Sequence, residues 1–298
     1  MPKRIIVLGT MRSGTSLTAD LVRRWGAYHG EEDKLWKSDI HDPRGYGYME
    51  FIPLQELNDE LLDHNDRVPP KRALMEAKAL DPVFREKAQR LLQQMDEQTE
   101  KKNVEAWVWK DARLPLTLPF WVKLWDDPIY IITMRHPADV ALSSAKTEEL
   151  EESELPFSAG LTYWQYCMLN ILSYTQSTHK KLFISYEQLV DNPAYECTRL
   201  GRFLDEHCER PTADSQRRIE AMLPQVMSNQ RHHHYGRALA EMEQATREQR
   251  ALYNFLRVKI MSPDEAFREE DFALYPGWQE YLQAMDMVLT LSQSEKHE

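Results

Sequence analysis

The chain of 298 residues has few cysteines, and this scarcity excludes a disulfide scaffold. Its three cysteines, Cys167, Cys197 and Cys208, are odd in number, and no two of them have the C-x-x-C spacing of a redox or zinc motif. We therefore expect buried thiols in a reducing compartment. The N-terminus also lacks the apolar run of about 7–15 residues that marks a secretory signal peptide. These absences together predict a cytoplasmic protein.

An excess of basic residues is also missing. The chain has 37 Lys and Arg against 48 Asp and Glu, which gives a net charge of −11. Nucleic acids and anionic membranes attract basic surfaces, so this charge argues against both as partners. The uncharged stretch 155–178 contains polar residues such as Gln165 and Asn170, which a lipid environment disfavours. We predict a buried core helix there, and a small molecule as the partner.

Short apolar runs alternate with amphipathic helices along the chain. The runs predict buried strands at 5–8, 104–109, 129–134 and 181–185. The main predicted helices lie at 15–25, 54–62, from 82 onward, 137–146, 155–178 and 193–207. Alternation of this kind predicts an α/β class: a P-loop-like, three-layer fold with a mostly parallel central sheet flanked by helices, plus a helical C-terminal extension.

The domain organisation follows from the same pattern. We assign 1–235 to one α/β domain, with 31–75 as a substrate loop or cap, and 236–298 to a helical extension packed on that domain. Parallel sheets bind ligands at the carboxyl ends of their strands. The residues that follow the first three predicted strands are therefore the candidates for a site. The sequence does not indicate an oligomeric state.

A glycine-containing loop follows the first predicted strand. Residues 9–16, GTMRSGTS, fit G-x-x-x-x-G followed by two hydroxyl residues, between a strand and a helix. We expect the backbone amides of Ser13, Gly14 and Thr15 to face an anion at the positive end of the helix. Triphosphate-hydrolysing proteins place a Lys where Thr15 stands, whereas the cation here is Arg12. A ligand with one 5′-phosphate and one further group fits this loop better than a triphosphate.

A second candidate anion site follows the third predicted strand. Residues 135–143, RHPADVALS, have the form R-x-P-x5-S. Side chains in the second turn of a helix lean toward its N-terminus, so Ser143 and Arg135 are expected to converge on one anion. The Arg guanidinium matches phosphate oxygens with its fork of donors.

With these two motifs the chain resembles the sulfotransferases that use 3′-phosphoadenosine 5′-phosphosulfate (PAPS). Residues 8–16 resemble the family's 5′-phosphosulfate loop, and 135–143 resemble its 3′-phosphate motif. Residues 185–193, SYEQLVDNP, resemble its Y-E-x-L-x-x-x-P segment, which implies that Tyr186 lies near the adenine. Residues 43–50 and 109–119 resemble bacterial members. The resemblance spans about 4–235 and implies PAPS as the donor, adenosine 3′,5′-bisphosphate (PAP) as the product and no required metal.

The resemblance also implies roles for individual residues. Arg12 and Lys110 are expected to act on the transferred group, and Ser13, Gly14, Thr15 and Ser16 to hold the 5′-phosphate. Arg135, Ser143, Tyr186 and, in a basic loop, Arg231 are expected to bind the rest of the nucleotide. The adjacent histidines 232–234 are not expected to form a metal site, because three successive side chains do not face one ion.

The general base is Asp111 in our prediction, with Glu50, Asp33 and His41 as rivals. Asp111 follows the second predicted strand and occupies about the position of the family's base, where a Lys-Thr-His motif of another branch is replaced by Lys-Asp-Ala-Arg. The predicted activity is sulfuryl transfer to a hydroxyl or amine of a small molecule. Two alternatives stay open: a P-loop kinase of a small metabolite and a catalytically silent nucleotide-binding protein.

Overall fold

A computed structural model describes residues 1–36, 49–64, 69–145, 157–227, 242–261 and 277–294. Two predicted site residues, His41 and Arg231, therefore lie outside the described residues. The strands are β1 (Lys3–Leu8), β2 (Ala106–Lys110), β3 (Ile129–Met134) and β4 (Lys181–Ser185). They form one parallel sheet in the order β2-β1-β3-β4. The predicted parallel α/β sheet is confirmed, and β2 begins two residues later than expected.

Helices connect the strands and cover both faces of the sheet. They are α1 (Thr15–Trp25), α2 (Ile52–Leu61), α3 (Arg72–Lys78), α4 (Pro82–Lys101), α5 (Leu114–Trp121), α6 (Pro137–Ala145), α7 (Phe157–Thr175), α8 (Tyr186–Asp191), α9 (Pro193–His207), α10 (Ser215–Met227), α11 (Arg247–Met261) and α12 (Trp278–Ser294). Asp81 caps α4, because its carboxylate accepts a hydrogen bond of 2.8 Å from the Val83 amide.

Two apolar clusters place the sheet between helical layers. Alternate strand residues such as Ile5 and Val7 pack in one cluster with side chains of α1, α9 and α10. The intervening Ile6 and Leu8 pack in the other with α2, α4, α5 and α7. A strand buried on both faces reads as a continuous apolar run, which is why the four strands were recognisable. The second cluster also includes Leu252 of α11.

The uncharged segment is a core helix, as predicted. Most side chains of α7 are buried, among them Trp164 and Cys167. No helix in the part of the chain that the structure describes is long and apolar enough to span a membrane. The Asn170 amide of α7 donates a 2.5 Å hydrogen bond to the carbonyl oxygen of Pro115. This carbonyl would face the amide of residue 119 in a regular helix, but Pro119 has no N–H, so Asn170 supplies the donor that α5 lacks.

Candidate active site

The predicted site residues follow the strands at the carboxyl edge of the sheet. The loop 9–14 leads from β1 into α1, and Arg135 follows β3. Asp111 follows β2, and Tyr186 follows β4. All four strands are parallel, so these residues share one edge.

The loop after β1 has an unusual backbone. Arg12 has φ 66° and Gly14 has φ 96°, both in the left-handed region. A non-glycine residue pays about 1 kcal/mol or more for this conformation, which is typical of functional sites. A Cβ on Gly14 would lie 2.6 Å from Cδ2 of Tyr186, so the Tyr186 ring packs directly on the loop. The loop after β1 and the segment after β4 therefore form one surface.

Ser13 points into the loop instead of out of it. Its amide donates to the carbonyl oxygen of Thr10 at 3.1 Å, and its hydroxyl donates to the same oxygen at 2.6 Å. The side chain is fully buried and lies 3.2 Å from the Thr133 hydroxyl. We expected the Ser13 amide to face the anion, but it closes the turn. In this arrangement Ser13 shapes the loop, and Gly14, Thr15 and Ser16 are left as its candidate anion contacts.

The two candidate anion sites meet. The Arg12 Nε donates to the Ser143 hydroxyl at 2.9 Å, and the Arg135 guanidinium donates to the Arg12 carbonyl oxygen at 3.2 Å. The Arg135 guanidinium also lies over the Tyr186 ring, 4.8 Å from its centroid. Four residues predicted from separate motifs are thus in direct contact at one place.

Glu187, which we did not predict as a site residue, links two of these motifs. One oxygen of its carboxylate accepts a 2.8 Å hydrogen bond from the His136 amide. The other accepts a 2.8 Å hydrogen bond from the Ser185 hydroxyl. The Glu of the Y-E-x-L pattern was the available signal, but the spacing alone did not indicate its partner. Glu187 holds the beginning of α8 against the end of β3, beside Arg135.

The chemistry of this surface fits a polyanionic ligand. Its side chains are two guanidiniums and several hydroxyls, and the N-terminus of α1 adds backbone donors and a partial positive charge. The Thr10 hydroxyl is 1% exposed and has no hydrogen-bond partner among the described residues. A buried hydroxyl in this state carries an energetic cost that a bound acceptor removes. The residues present therefore fit an anionic ligand bound at this surface.

A second cluster, of buried charged residues, lies where β2 ends. The Lys110 Nζ donates to Glu50 Oε1 at 2.5 Å, and both side chains are buried. Asp111 Oδ1 accepts hydrogen bonds from the Arg113 amide at 2.8 Å and from its guanidinium at 3.2 Å. Lys110 is thus paired with one of the rival bases. Asp111 has the ion pair with Arg113 that a structural role would require.

Asn58 fixes the Asp111 carboxylate and was not predicted from the sequence. Its Oδ1 accepts hydrogen bonds from the Trp121 indole at 2.7 Å and from the Thr117 hydroxyl at 3.0 Å. Two donors on the oxygen orient the amide, so its nitrogen faces Asp111 Oδ2 at 2.8 Å. Asn58 is fully buried on α2. It belongs to no sequence motif, so the sequence alone did not indicate its role.

Burial raises the pKa of Asp111 to about 6. Desolvation of a carboxylate that is 2% exposed is the main cause, and the nearby Glu50 charge adds to it. The Arg113 charge and the hydrogen bonds from the Arg113 amide and Asn58 lower the pKa and offset part of this effect. A carboxylate in this range is matched to proton transfer near neutral pH.

The remaining predicted site residues lie on an exposed turn or outside the described residues. Asp33 is exposed, on a short 3₁₀ turn at Glu32–Lys34. His41 and Arg231 lie outside the described residues. Within the described ranges, no group of three or more His, Cys, Asp or Glu could hold a metal ion.

Comparison with known proteins decides the family. The family model described as "Sulfotransferase family" matches residues 2–210. The chain belongs to the sulfotransferase family. No curated protein sequence matches it. Two solved structures match this sulfotransferase over 72% of its length. The sulfotransferase domain from the curacin biosynthetic pathway is 19% identical, with 76% of that chain covered and a TM-score of 0.42. The sulfotransferase domain from the Synechococcus PCC 7002 olefin synthase is 18% identical, with 75% covered and a TM-score of 0.43.

Proposed function

We propose that this sulfotransferase takes a sulfuryl group from PAPS and transfers it to a hydroxyl or amine of a small molecule. The contact between the two anion sites, from Arg12 to Ser143 and from Arg135 to the Arg12 carbonyl, is the observation that carries this proposal. A single nucleotide with phosphates at its 5′ and 3′ positions has the charge distribution that such a pair of sites requires. Three buried, unpaired cysteines support a reducing, cytoplasmic location.

The proposed donor contacts divide between the two ends of the nucleotide. Arg12 and the first turn of α1, with Gly14, Thr15 and Ser16, hold the 5′ end through charge and backbone donors. Arg135 and Ser143 hold the 3′-phosphate. The Tyr186 ring, which already packs on Gly14 and under the Arg135 guanidinium, offers a face to the adenine. Arg231 is kept as a further proposed contact.

When bound, PAPS supplies an activated sulfuryl group for in-line displacement. The guanidinium of Arg12 would stabilise negative charge at the 5′ end, in a loop whose geometry is already set. Lys110 lies in the same region but is held by Glu50, which keeps its charge buried and oriented. We propose that Lys110 acts on the transferred group from this position.

The acceptor must lose a proton, and we propose that the Asp111 carboxylate takes it. Its raised pKa, of about 6, and its fixed orientation against Asn58 and Arg113 support this role. Glu50 remains the nearest rival, and its Oε1 accepts from Lys110 and from the Ala112 amide. Hydrogen bonds to both Asp111 oxygens orient the carboxylate, while each oxygen keeps further acceptor capacity.

The two alternatives are less well supported. A P-loop kinase would need a Lys where Thr15 stands. A raised pKa in a buried carboxylate is more typical of a catalytic site than of a silent nucleotide-binding protein.

Thermal unfolding with added nucleotides tests the proposal. PAP without metal is expected to raise Tm, since a ligand at about 100 times its Kd stabilises by about 2.7 kcal/mol, which corresponds to roughly 4 °C for a chain of this length. ATP with Mg²⁺ is the comparison. Stabilisation by ATP and not by PAP would support the kinase and contradict the proposal. Labelled sulfate transfer from PAPS to a panel of hydroxyl and amine compounds then separates an enzyme from a silent binder.

A further inference from the structure

The family match ends at residue 210, yet helix α11 lies beyond it and packs against the catalytic fold. Leu252, Leu256 and Ile260 of this helix are buried in the same apolar cluster as Ile132 and Met134 of β3. The helix also contacts α7 and β4. It therefore lies close to the two strands that carry Arg135 and Tyr186.

Tyr253 of α11 makes the contact nearest to the proposed donor site. Its ring meets the His136 ring edge-to-face, with centroids 4.9 Å apart and an interplanar angle of 70°. A second edge-to-face contact, at 6.4 Å, joins Tyr253 to the buried Trp164 of α7. Tyr253 thus packs between a core helix and the residue that follows Arg135 in the chain. Edge-to-face pairs at such distances are favourable and directional.

His136 makes two hydrogen bonds that shape the second anion motif, residues 135–143. Its Nδ1 accepts a hydrogen bond of 3.3 Å from the Ala138 amide, which caps the N-terminus of α6. Its own amide donates to Glu187 at 2.8 Å. Capping requires the imidazole ring to stay in one orientation, and the Tyr253 ring lies against that imidazole. The orientation of α6 in turn sets where Ser143 meets Arg12.

We propose that Tyr253 is a positioning residue of the donor site. Its ring holds His136 in the orientation that caps α6, and it thereby keeps Arg135 and Ser143 aligned on one phosphate. This role rests on the proposed use of PAPS, and it makes α11 a working part of the donor site although it lies outside the family match. Tyr253 itself does not touch the nucleotide in this proposal.

Calorimetric titration of PAP into the full chain tests the role of Tyr253. Tyr253→Ala is expected to weaken PAP binding about tenfold, the factor that corresponds to losing about one hydrogen bond. Tyr253→Phe keeps the ring and is expected to bind as the wild type does. Phe255→Ala is the matched control: Phe255 lies on the same helix, is half-buried, and packs edge-to-face on Trp278 at 5.1 Å, away from His136.

The outcomes separate this role from general stability and from the proposed function. Equal PAP affinity in Tyr253→Ala and wild type, or equal losses in Tyr253→Ala and Phe255→Ala, would overturn the positioning role. Failure of the wild type to bind PAP would instead contradict the proposed function. If Tyr253→Ala does not fold, His136→Ala removes the other half of the contact at a half-exposed position. It is expected to weaken PAP binding to a similar extent, and unchanged binding would again overturn the proposal.

Discussion

The raised pKa of Asp111 has a measurable effect on stability that needs no knowledge of the acceptor. Folding moves this pKa from 3.8 to about 6, chiefly because the carboxylate loses its water. Each pH unit corresponds to about 1.4 kcal/mol, so burying the ionised group costs about 3 kcal/mol. Asp111→Asn removes the titration while keeping the size and an acceptor oxygen for Asn58.

The sign of the effect follows from proton binding. Between pH 4 and 6 the native state holds the Asp111 proton more tightly than the unfolded state does, so wild-type stability falls as the pH rises through this range. The Asp111→Asn variant does not titrate at this position, so its stability does not fall for this reason as the pH rises. Its free energy of unfolding relative to wild type is therefore expected to increase by about 2.4 kcal/mol from pH 4 to pH 7, and to stay constant above that.

Urea unfolding at a series of pH values measures this difference. Asp126→Asn, at an exposed position, corrects for removing one negative charge from an acidic chain. A difference between Asp111→Asn and wild type that does not change with pH would contradict a raised pKa of Asp111. A difference that falls as the pH rises would show that the pKa is lowered, which would contradict the role as a base near neutral pH.

Three further predictions concern single positions. Asn58→Ala should destabilise the fold by about 1–3 kcal/mol, since the Trp121 and Thr117 donors lose the Asn58 oxygen as acceptor. It should also raise the pKa of Asp111 further, because the Asn58 hydrogen bond lowers that pKa. Urea unfolding at a series of pH values detects both effects. Gly14→Ala should lower both Tm and PAP affinity, because the new Cβ meets the Tyr186 ring at 2.6 Å; normal PAP binding would contradict this. Arg135→Lys should weaken PAP binding about tenfold or more by calorimetry, since Lys lacks the planar fork; equal affinity would count against the 3′-phosphate contact.

The strands and the two anion motifs were predictable because their signals are local. A strand buried on both faces leaves an apolar run, and an anion loop leaves glycines and hydroxyls at short spacing. Arg12, Arg135, Ser143 and Tyr186 were identified from three separate segments. Their mutual contact follows from the parallel order of the strands, which alternation with helices indicates.

The rest depended on contacts between distant segments. Helix α5 carries Pro119 in its interior, which argues against a helix locally, and Asn170 of α7 supplies the donor that this proline lacks. Asn58 lies on α2, and its partners lie on α5 and at the end of β2. Ser13 was expected to face the ligand, but its amide and hydroxyl both donate to the Thr10 carbonyl oxygen within the turn.

Calorimetric comparison of PAP with adenosine 5′-monophosphate, in buffer without metal, tests most directly whether the two anion sites bind one nucleotide. We predict one PAP per chain and an affinity at least tenfold above that for the monophosphate, which lacks the 3′-phosphate. In Arg135→Ala this preference should largely disappear, because the guanidinium that contacts the Arg12 carbonyl and Tyr186 is gone. Equal affinities for the two nucleotides in the wild type, or no binding of PAP, would contradict the account.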